Sequence, residues 1–369
     1  MATGKAAEPA ERMKNYLDKI ATGPEMGRDL TEQEAEDALA MILAGDVSPV
    51  RAGVFLVAGR MKRETLAENL GYWRALDRAT VKRQTTLTPL LQVADPFDGC
   101  NRAPYLGFYA LPVIAALGLP VYGHSTLSLP PKFGVTFEDI LHKHYGIPAN
   151  LSLDRRIRLL ETFRFGYLST RQTHPSLENL RGLRQEIVKR TALSTFEKML
   201  MPLAGAPGGN FLATGYFHKG YEIPMLAVAE QSGFDRFLLV NGVEGTTLFA
   251  VHKPARAFIK KKGEDAEERR LTLQNMFSPA DAAKIDAAYQ NIKSERLDLP
   301  ALARLGESGL AGEAPAATLI ACQAGGLCAE FGIVADFQTG FTAAETVLKN
   351  KTARLALNEF LAQAASGKG

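Results

Sequence analysis

The run LTEQEAEDALAMILAGDVSPVRAGVFLVAGRMKRETLAENLGYWRAL, Leu30–Leu76, reads as three helices joined by tight turns. Thr31 and Glu34 form a capping box, in which each side chain satisfies the other residue's backbone N–H. Ala35, Ala38, Leu39 and Ile42 then give the first helix an apolar side, and Gly45 ends it. Ser48 caps a second helix with Pro49 at its first position, where a missing N–H costs nothing. Thr65 caps a third, running through Leu70, Trp73 and Leu76. Connections of a few residues imply a compact antiparallel cluster. The helical pattern extends from about Glu11 to Thr80, with residues 1–10 expected to be loose.

Downstream the period changes. Residues 81–94 lead into the turn cluster Asp95-Pro96-Phe97-Asp98-Gly99, and an apolar helix follows, ending at Gly118. Strands are expected at Leu119–Tyr122, Gly166–Ser169, Phe211–Phe217 and Phe237–Val240, each near a helical run. Such alternation predicts an α/β fold in which helices cover a sheet. The division is a small N-terminal helical domain over 1–85, with a returning helical segment at about 176–203, and an α/β domain over 86–369. The charged stretch 254–312 reads as a solvent-exposed insertion or helix pair. Ala316–Phe331, rich in small residues, suits a closely packed helix, and one amphipathic helix, Ala343–Ala365, closes the chain.

A chain of 369 residues exceeds one ordinary core, which agrees with two domains. With 46% hydrophobic and 22% charged residues it is globular, not disordered. A net charge of +3 permits a basic patch without announcing a nucleic-acid binder. Three cysteines, Cys100, Cys322 and Cys328, argue for a reducing compartment and no disulfide framework. The opening MATGKAAEPAERMK lacks the apolar segment of a signal peptide. The longest nearly uncharged stretch, Leu106–Gly123, is interrupted by Pro112, Gly118 and Pro120. It falls short of the roughly 20 apolar residues of a spanning helix. A cytoplasmic protein with no membrane partner is therefore expected.

Several runs together resemble the anthranilate phosphoribosyltransferase family, with thymidine-phosphorylase-type enzymes at greater distance. Leu30–Leu76 is similar to that family's helical domain along its whole length. PVYGHSTLSLPPKFG (Pro120–Gly134) resembles its Lys-His-Gly-Asn loop and the following Ser-Lys-x-Gly. THPSLENLRGLRQEIVKRT (Thr173–Thr191) resembles its His-Pro and Arg-rich segment, and the tail from Ala316 its closing helices. The resemblance implies a phosphoribosyltransferase/nucleoside phosphorylase type of fold, with a central, mostly parallel sheet and a cleft between the two domains. In the enzymes that cleft joins phosphoribosyl diphosphate, held through magnesium, to an aromatic acceptor. Such displacement needs neutralisation of the leaving group and positioning of the acceptor more than a covalent nucleophile.

The departures fall on the diphosphate side. Asp95-Pro96-Phe97-Asp98-Gly99-Cys100 stands where the family has Gly-Thr-Gly-Gly-Asp-Gly. Proline removes an N–H, phenylalanine adds bulk and the extra aspartate repels an anion. The family's Asn-x-Ser-Thr falls near Tyr105-Leu106-Gly107-Phe108. Its metal-binding Asp-Glu pair falls near Thr247-Leu248, leaving Glu244 nearby but no carboxylate pair for magnesium. The loop lysine is replaced by Gly123. By resemblance, His174, Arg184 and Arg190 mark an acceptor-side cleft, with Pro175 and Thr191 beside them. Asn101, Arg102, His124, Ser128 and Lys132 mark a phosphate or anion side. No cofactor is expected, magnesium entering only if transferase activity persists.

The chain is more similar still to the family's divergent branch, whose Gly-rich turn is replaced by an aromatic-x-Gly sequence followed by basic residues. Here that reads Phe97-Asp98-Gly99-Cys100-Asn101-Arg102, with one basic residue where two are expected. Some members of that branch bind nucleic acid as dimers, which implies a nucleic-acid or phosphorylated partner and a homodimer through the helical domain. Lys253, Arg256, Lys260, Lys261 and Lys262 form a candidate nucleic-acid patch. The interleaved Glu264, Asp265, Glu267 and Glu268 favour a solvated helix face over that patch. Arg155, Arg156, Arg158 and Arg164 read as ordinary helix amphipathicity, and His142 and His144 as surface residues without a third metal ligand. The functional expectation is a family member without ordinary phosphoribosyl diphosphate-dependent activity that binds an anionic partner such as nucleic acid. The alternatives are a glycosyl- or phosphoribosyltransferase with an altered donor or acceptor, and an interaction scaffold.

Overall fold

A computed structural model describes residues 8–23, 25–102, 105–292 and 298–366. Residues 1–7, most of the stretch expected to be loose, lie outside the described residues. Four helices open the chain: α1 Pro9–Ile20, α2 Glu32–Ala44, α3 Pro49–Lys62 and α4 Leu66–Ala79. The expected caps form, with Thr31 and Glu34 closing a box before α2, Ser48 capping α3, and Thr65 and Glu68 closing a second box before α4. Gly45 ends α2 in the left-handed conformation at φ 79°. Glu68 does more than cap. Its buried carboxylate accepts N–H bonds from Thr65 (2.7 Å) and Leu30 (2.9 Å), which ties the start of α2 to α4.

The described residues then form nine strands: β1 Arg83–Gln84, β2 Leu90–Ala94, β3 Val121–Ser125, β4 Phe165–Ser169, β5 Leu203–Ala204, β6 Asn210–Gly215, β7 Arg236–Val240, β8 Ala255–Lys261 and β9 Glu267–Leu271. β1 and β5 make a small parallel pair, and the other seven form one sheet in the order β4-β3-β2-β6-β7-β8-β9. Pairing is parallel through β7 and antiparallel for the last two strands. β2, β3, β4 and β6 are buried along their whole length, as parallel strands covered on both faces must be. The apolar helix α5, Gly107–Ala116, is buried over eight of its ten residues. The strand expected at 119–122 runs on to Ser125, so His124 lies within the sheet.

Two expectations are corrected. The charged stretch after 254 is not a helical insertion at its start but the β8–β9 hairpin at the sheet edge. Ala255, Ala257 and Ile259 alternate inward, a period of two that only a strand can use. Helices at Pro279–Ile292 and Leu299–Leu310 complete that stretch. The single closing helix is two helices, Phe337–Lys349 and Thr352–Ala365, broken where Lys351 takes a left-handed backbone at φ 60°.

The helical unit and the sheet share one core. Phe55, Tyr72, Trp73 and Leu76 pack in the same buried cluster as Leu193, Phe196, Met199, Leu212, Phe237 and Leu239. The returning segment, helical over Pro175–Asn179, Arg181–Ile187 and Leu193–Phe196, is the layer between them. Among the described residues no helix is long and apolar enough to cross a membrane.

Candidate functional site

A cavity of about 440 Å³ opens where the helical unit meets the carboxyl ends of the parallel strands. Its walls come from the turn after β2 (Phe97, Asp98, Arg102), the loop after β6 (Tyr216, Phe217, His218), the turn after β7 (Glu244, Gly245) and the 190–198 segment. Ligand sites in open α/β sheets occur at this position, beyond the strand ends. The space is open and rich in cations. Arg102, Lys132, Arg190 and Lys198 face it with only Asp98 and Glu244 as carboxylates. Phe97 does not fill it, because its ring packs edge-on against His124 at 5.6 Å, and Tyr105 stacks on Phe137.

The turn after β2 is sewn to the Lys132–Val135 loop. Cys100 and Val135 exchange backbone hydrogen bonds of 3.0 and 2.8 Å, and Gly134 donates to the Asp98 carbonyl. Gly99 (φ 75°) and Gly134 lie so close that a Cβ on Gly99 would sit 2.2 Å from the Gly134 oxygen. Beyond the turn, the N–H groups of Asn101 and Arg102 both donate to one Glu244 oxygen, at 3.1 and 3.0 Å. Asn101 also donates from its side chain to the Lys132 carbonyl (3.2 Å). Lys132 Nζ lies 3.8 Å from Asp98 and 3.7 Å from Glu244, while Arg190 bonds Asp98 directly at 2.5 and 2.9 Å.

The other residues expected on the phosphate side sit deeper. His124 is buried, its Nε2 3.1 Å from the Thr173 hydroxyl. Burial, followed by the neighbouring His174, pushes its pKa down to about 3, so the imidazole is neutral near pH 7. Ser128 is half-buried and gives its carbonyl to Arg181 (3.2 Å). At Gly123, where the resemblance places a lysine, the Phe137 ring would meet a Cβ at 2.4 Å.

Of the acceptor-side residues Arg190 reaches the cavity, with Thr191 next to it. His174 is fully buried. Its Nε2–H donates to the Leu76 carbonyl (2.9 Å), and its Nδ1 accepts the Leu177 N–H (3.0 Å) as a helix cap. Arg184 makes a buried bidentate pair with Glu197 at 2.6 and 3.0 Å. Both are thus spent on holding the returning segment, a correction to their expected place on the cleft wall.

Three residues of the basic run are likewise engaged. Arg256 bonds Glu222 (2.9 Å) and Glu268 (2.7 Å), Lys260 pairs with Glu230, and Lys261 lies 3.5 Å from Glu264. Lys253 and Lys262 are exposed. The two histidines of the 142–144 run diverge, His142 near Glu138 and His144 on Glu307. Arg156 is buried over the Tyr167 ring instead of lying on an open helix face. All three cysteines are free and buried.

Sequence reasoning passed over Lys198, whose signal was a lysine inside the apolar run from Phe196 to Met201. Its Nζ donates to the Gly215 carbonyl (2.6 Å). Burial pushes its pKa down to about 8 against the pull of Asp95 and Asp98. Asp95, accepting the Thr247 N–H at 2.8 Å, is pushed up to about 6 by burial. The cavity's carboxylates do not fit a magnesium site. Asp98 and Glu244 are already held by Arg190, Lys132 and two backbone N–H groups. Nor do three or more His, Cys, Asp or Glu side chains converge among the described residues.

Comparison with known proteins gives matches over both units. The family model for the glycosyl transferase family, helical bundle domain, matches residues 14–80, and that for the glycosyl transferase family, a/b domain, matches 107–354. An uncharacterised protein of Aquifex aeolicus is 28% identical over 269 residues, 73% of this chain and 80% of its own length. An anthranilate phosphoribosyltransferase of Shouchella clausii is 26% identical, over 92% of this chain and 94% of its own. The crystal structure of the Thermus thermophilus anthranilate phosphoribosyltransferase is similar at a TM-score of 0.74 and 25% identity. That likeness covers 96% of this chain and 99% of that one.

Proposed function

The chain belongs to the glycosyl transferase family built from a helical bundle and an α/β domain, and from that premise we propose that it binds single-stranded nucleic acid at the seam between them and lacks ordinary phosphoribosyl diphosphate-dependent transfer. One observation carries the reading. A second cavity of about 660 Å³ adjoins the first, sharing Thr191, Thr195 and Tyr221 with it. The two make one groove across the seam. Arg60, Arg63 and Lys219 line the second cavity with Glu64, which lies 3.7 Å from Arg60, and add to Arg102, Lys132 and Arg190 in the first. Aromatic faces lie along the same path. Phe217 is 54% exposed, and Arg60 lies 5.4 Å from the centre of the Tyr221 ring. A cationic groove with ring platforms is what a flexible phosphate backbone with splayed bases requires.

The test is fluorescence anisotropy of a labelled single-stranded oligonucleotide across a salt series. With about five phosphates neutralised, affinity falls roughly hundredfold between about 50 and 200 mM salt. Salt-independent affinity, or no binding at low salt, sinks the reading. A parallel assay with phosphoribosyl diphosphate, anthranilate and magnesium is expected to show no turnover, and turnover would overturn the second half. Val50 and Val54, one turn apart on α3, and Met61 further along it are exposed. They support a homodimer through the helical unit, which Val54→Lys is expected to convert to monomer as read by light scattering.

A second reading, transfer from an altered phosphorylated donor, is favoured by the place of the inner cavity against the strand ends. It requires a phosphorylated sugar that raises thermal stability through linkage, and a flat response across a donor panel with and without magnesium excludes it.

A further inference from the structure

Glu244 stands out on the wall of the inner cavity. Two consecutive peptide N–H groups, of Asn101 and Arg102, converge on its Oε2, and Lys132 lies 3.7 Å from its Oε1. Adjacent N–H groups aimed at one point form a concave nest with the polarity of an anion site. Lys132, too far from either carboxylate for a hydrogen bond, balances Glu244 against Asp98 at 3.8 Å. Arg102 completes a donor set of the kind phosphate oxygens take. Glu244 reaches this point from a left-handed backbone (φ 50°, ψ 19°) between Gly242 and Gly245. Non-glycine residues seldom hold that conformation.

We propose that the Asn101 and Arg102 N–H groups, with Lys132, form a phosphate subsite that Glu244 fills as an internal anion, so that a phosphate group of the ligand enters by displacing the Glu244 carboxylate. Two anions cannot share the nest, because each raises the cost of the other's charge. The carboxylate has room to leave, since it lines an open cavity from a glycine-flanked turn. Apparent affinity for phosphate is then lowered by the fraction of molecules in which the nest is vacated. The subsite deepens the nucleic-acid reading and takes its ligand source from it, but its chemistry is that of any phosphate ester.

The experiment compares wild type with Glu244→Gln, which keeps the shape without the charge, and Glu244→Asn, which suits a left-handed backbone. The probe is inorganic phosphate, titrated calorimetrically at constant ionic strength. Both variants are expected to bind it about tenfold tighter or more than wild type, and Lys132→Ala added to Glu244→Gln to remove the gain. Phosphate affinity equal in wild type and in a variant that keeps its melting temperature overturns the proposal, and either folded variant suffices. Ribose 5-phosphate and an oligonucleotide separate the sources. Tighter phosphate and ribose 5-phosphate binding with no oligonucleotide bound by any form keeps the subsite and removes the nucleic-acid reading. Tight oligonucleotide binding identical in all forms, without a gain for phosphate, removes the subsite and keeps that reading.

Discussion

His174 with Arg184, and Asn101 with Lys132, are two polar groupings beside one seam, and they are held in opposite ways. In the first, the ring N–H and both terminal guanidinium nitrogens are already consumed in hydrogen bonds. The His174 ring bridges the Leu76 carbonyl and the Leu177 N–H, and the Arg184 guanidinium is paired twice with Glu197 out of water. In the second, two N–H groups meet a single carboxylate oxygen, and Lys132 stands about equally far from two carboxylates. Residue type says which chemistry is on offer; the geometry of the partners says whether any of it is left for a ligand. In this fold the grouping made wholly of the family's residue types is structural, and the one that faces the open space sets the kept Lys132 beside the altered turn.

The largest effect should come from breaking the consumed group. Arg184→Ala leaves Glu197, which is 1% exposed, charged and unpaired, and is expected to cost about 3–5 kcal/mol of stability in urea unfolding. Oligonucleotide affinity per folded molecule should stay put. A variant of normal stability with lost binding would return Arg184 to the cleft and reverse the comparison.

His124 is as deeply buried as the consumed group, with Nε2 on Thr173 and Nδ1 unpartnered, and pH can report on that burial. Its folded pKa near 3 lies below its ordinary 6.5, so the unfolded chain takes the proton first and stability is lost as pH falls from 6.5 towards 3. Asp95 acts the other way. Raised to about 6 from 3.8, it binds a proton more readily in the fold, and its contribution grows as pH falls from 6 to 3.8. The two nearly cancel between those values. Removing one should expose the other: Asp95→Asn should lose about 2 kcal/mol more than wild type between pH 6 and about 4.5, and His124→Gln should gain relative to it. Identical acid profiles for wild type and His124→Gln would mean the imidazole is solvated and free to meet an anion.

The consumed and the open groups differ also in how legible they are in the sequence. Caps at Thr31, Ser48 and Thr65, and the strand–helix alternation after Asp95, act within a few residues, so fold class and element order follow from local pattern. The β8–β9 hairpin was missed because its charges, Arg256 against Glu268, alternate across two strands and mimic a mixed-charge helix when read in one line. The cavity wall was half legible. Arg102, Lys132 and Arg190 could be picked out along the chain. Glu197 as the partner of Arg184, and Glu244 as the partner of two N–H groups, lie 13 and more than 140 residues from those they bind. No local pattern encodes pairings of the second kind.

Within the open group, Arg190→Ala tests binding with little disturbance of the fold. Its side chain is 44% exposed, so losing the pair with Asp98 should cost about 1 kcal/mol or less. Oligonucleotide affinity at low salt should fall roughly tenfold, and the salt slope should drop by about 0.7, one phosphate contact on a single strand. An unchanged slope would mean that Arg190 serves Asp98 alone and belongs with Arg184.

The smallest effect is predicted where the sequence shows the most charge. Arg256 is held by Glu222 and Glu268 with its side chain 40% exposed, so Arg256→Ala should change stability by roughly 0.5 kcal/mol or less once solvent screening is allowed for. It should leave oligonucleotide affinity within about twofold and the salt slope intact, because two carboxylates balance its charge and it lines neither cavity of the groove. Lys260 and Lys261 have glutamate partners of the same kind. A loss matching that of Arg190→Ala would extend the binding surface along the sheet edge and place the hairpin in the open group. The hairpin thus tests whether charge count or charge availability governs what this fold binds, and the expected null result favours availability.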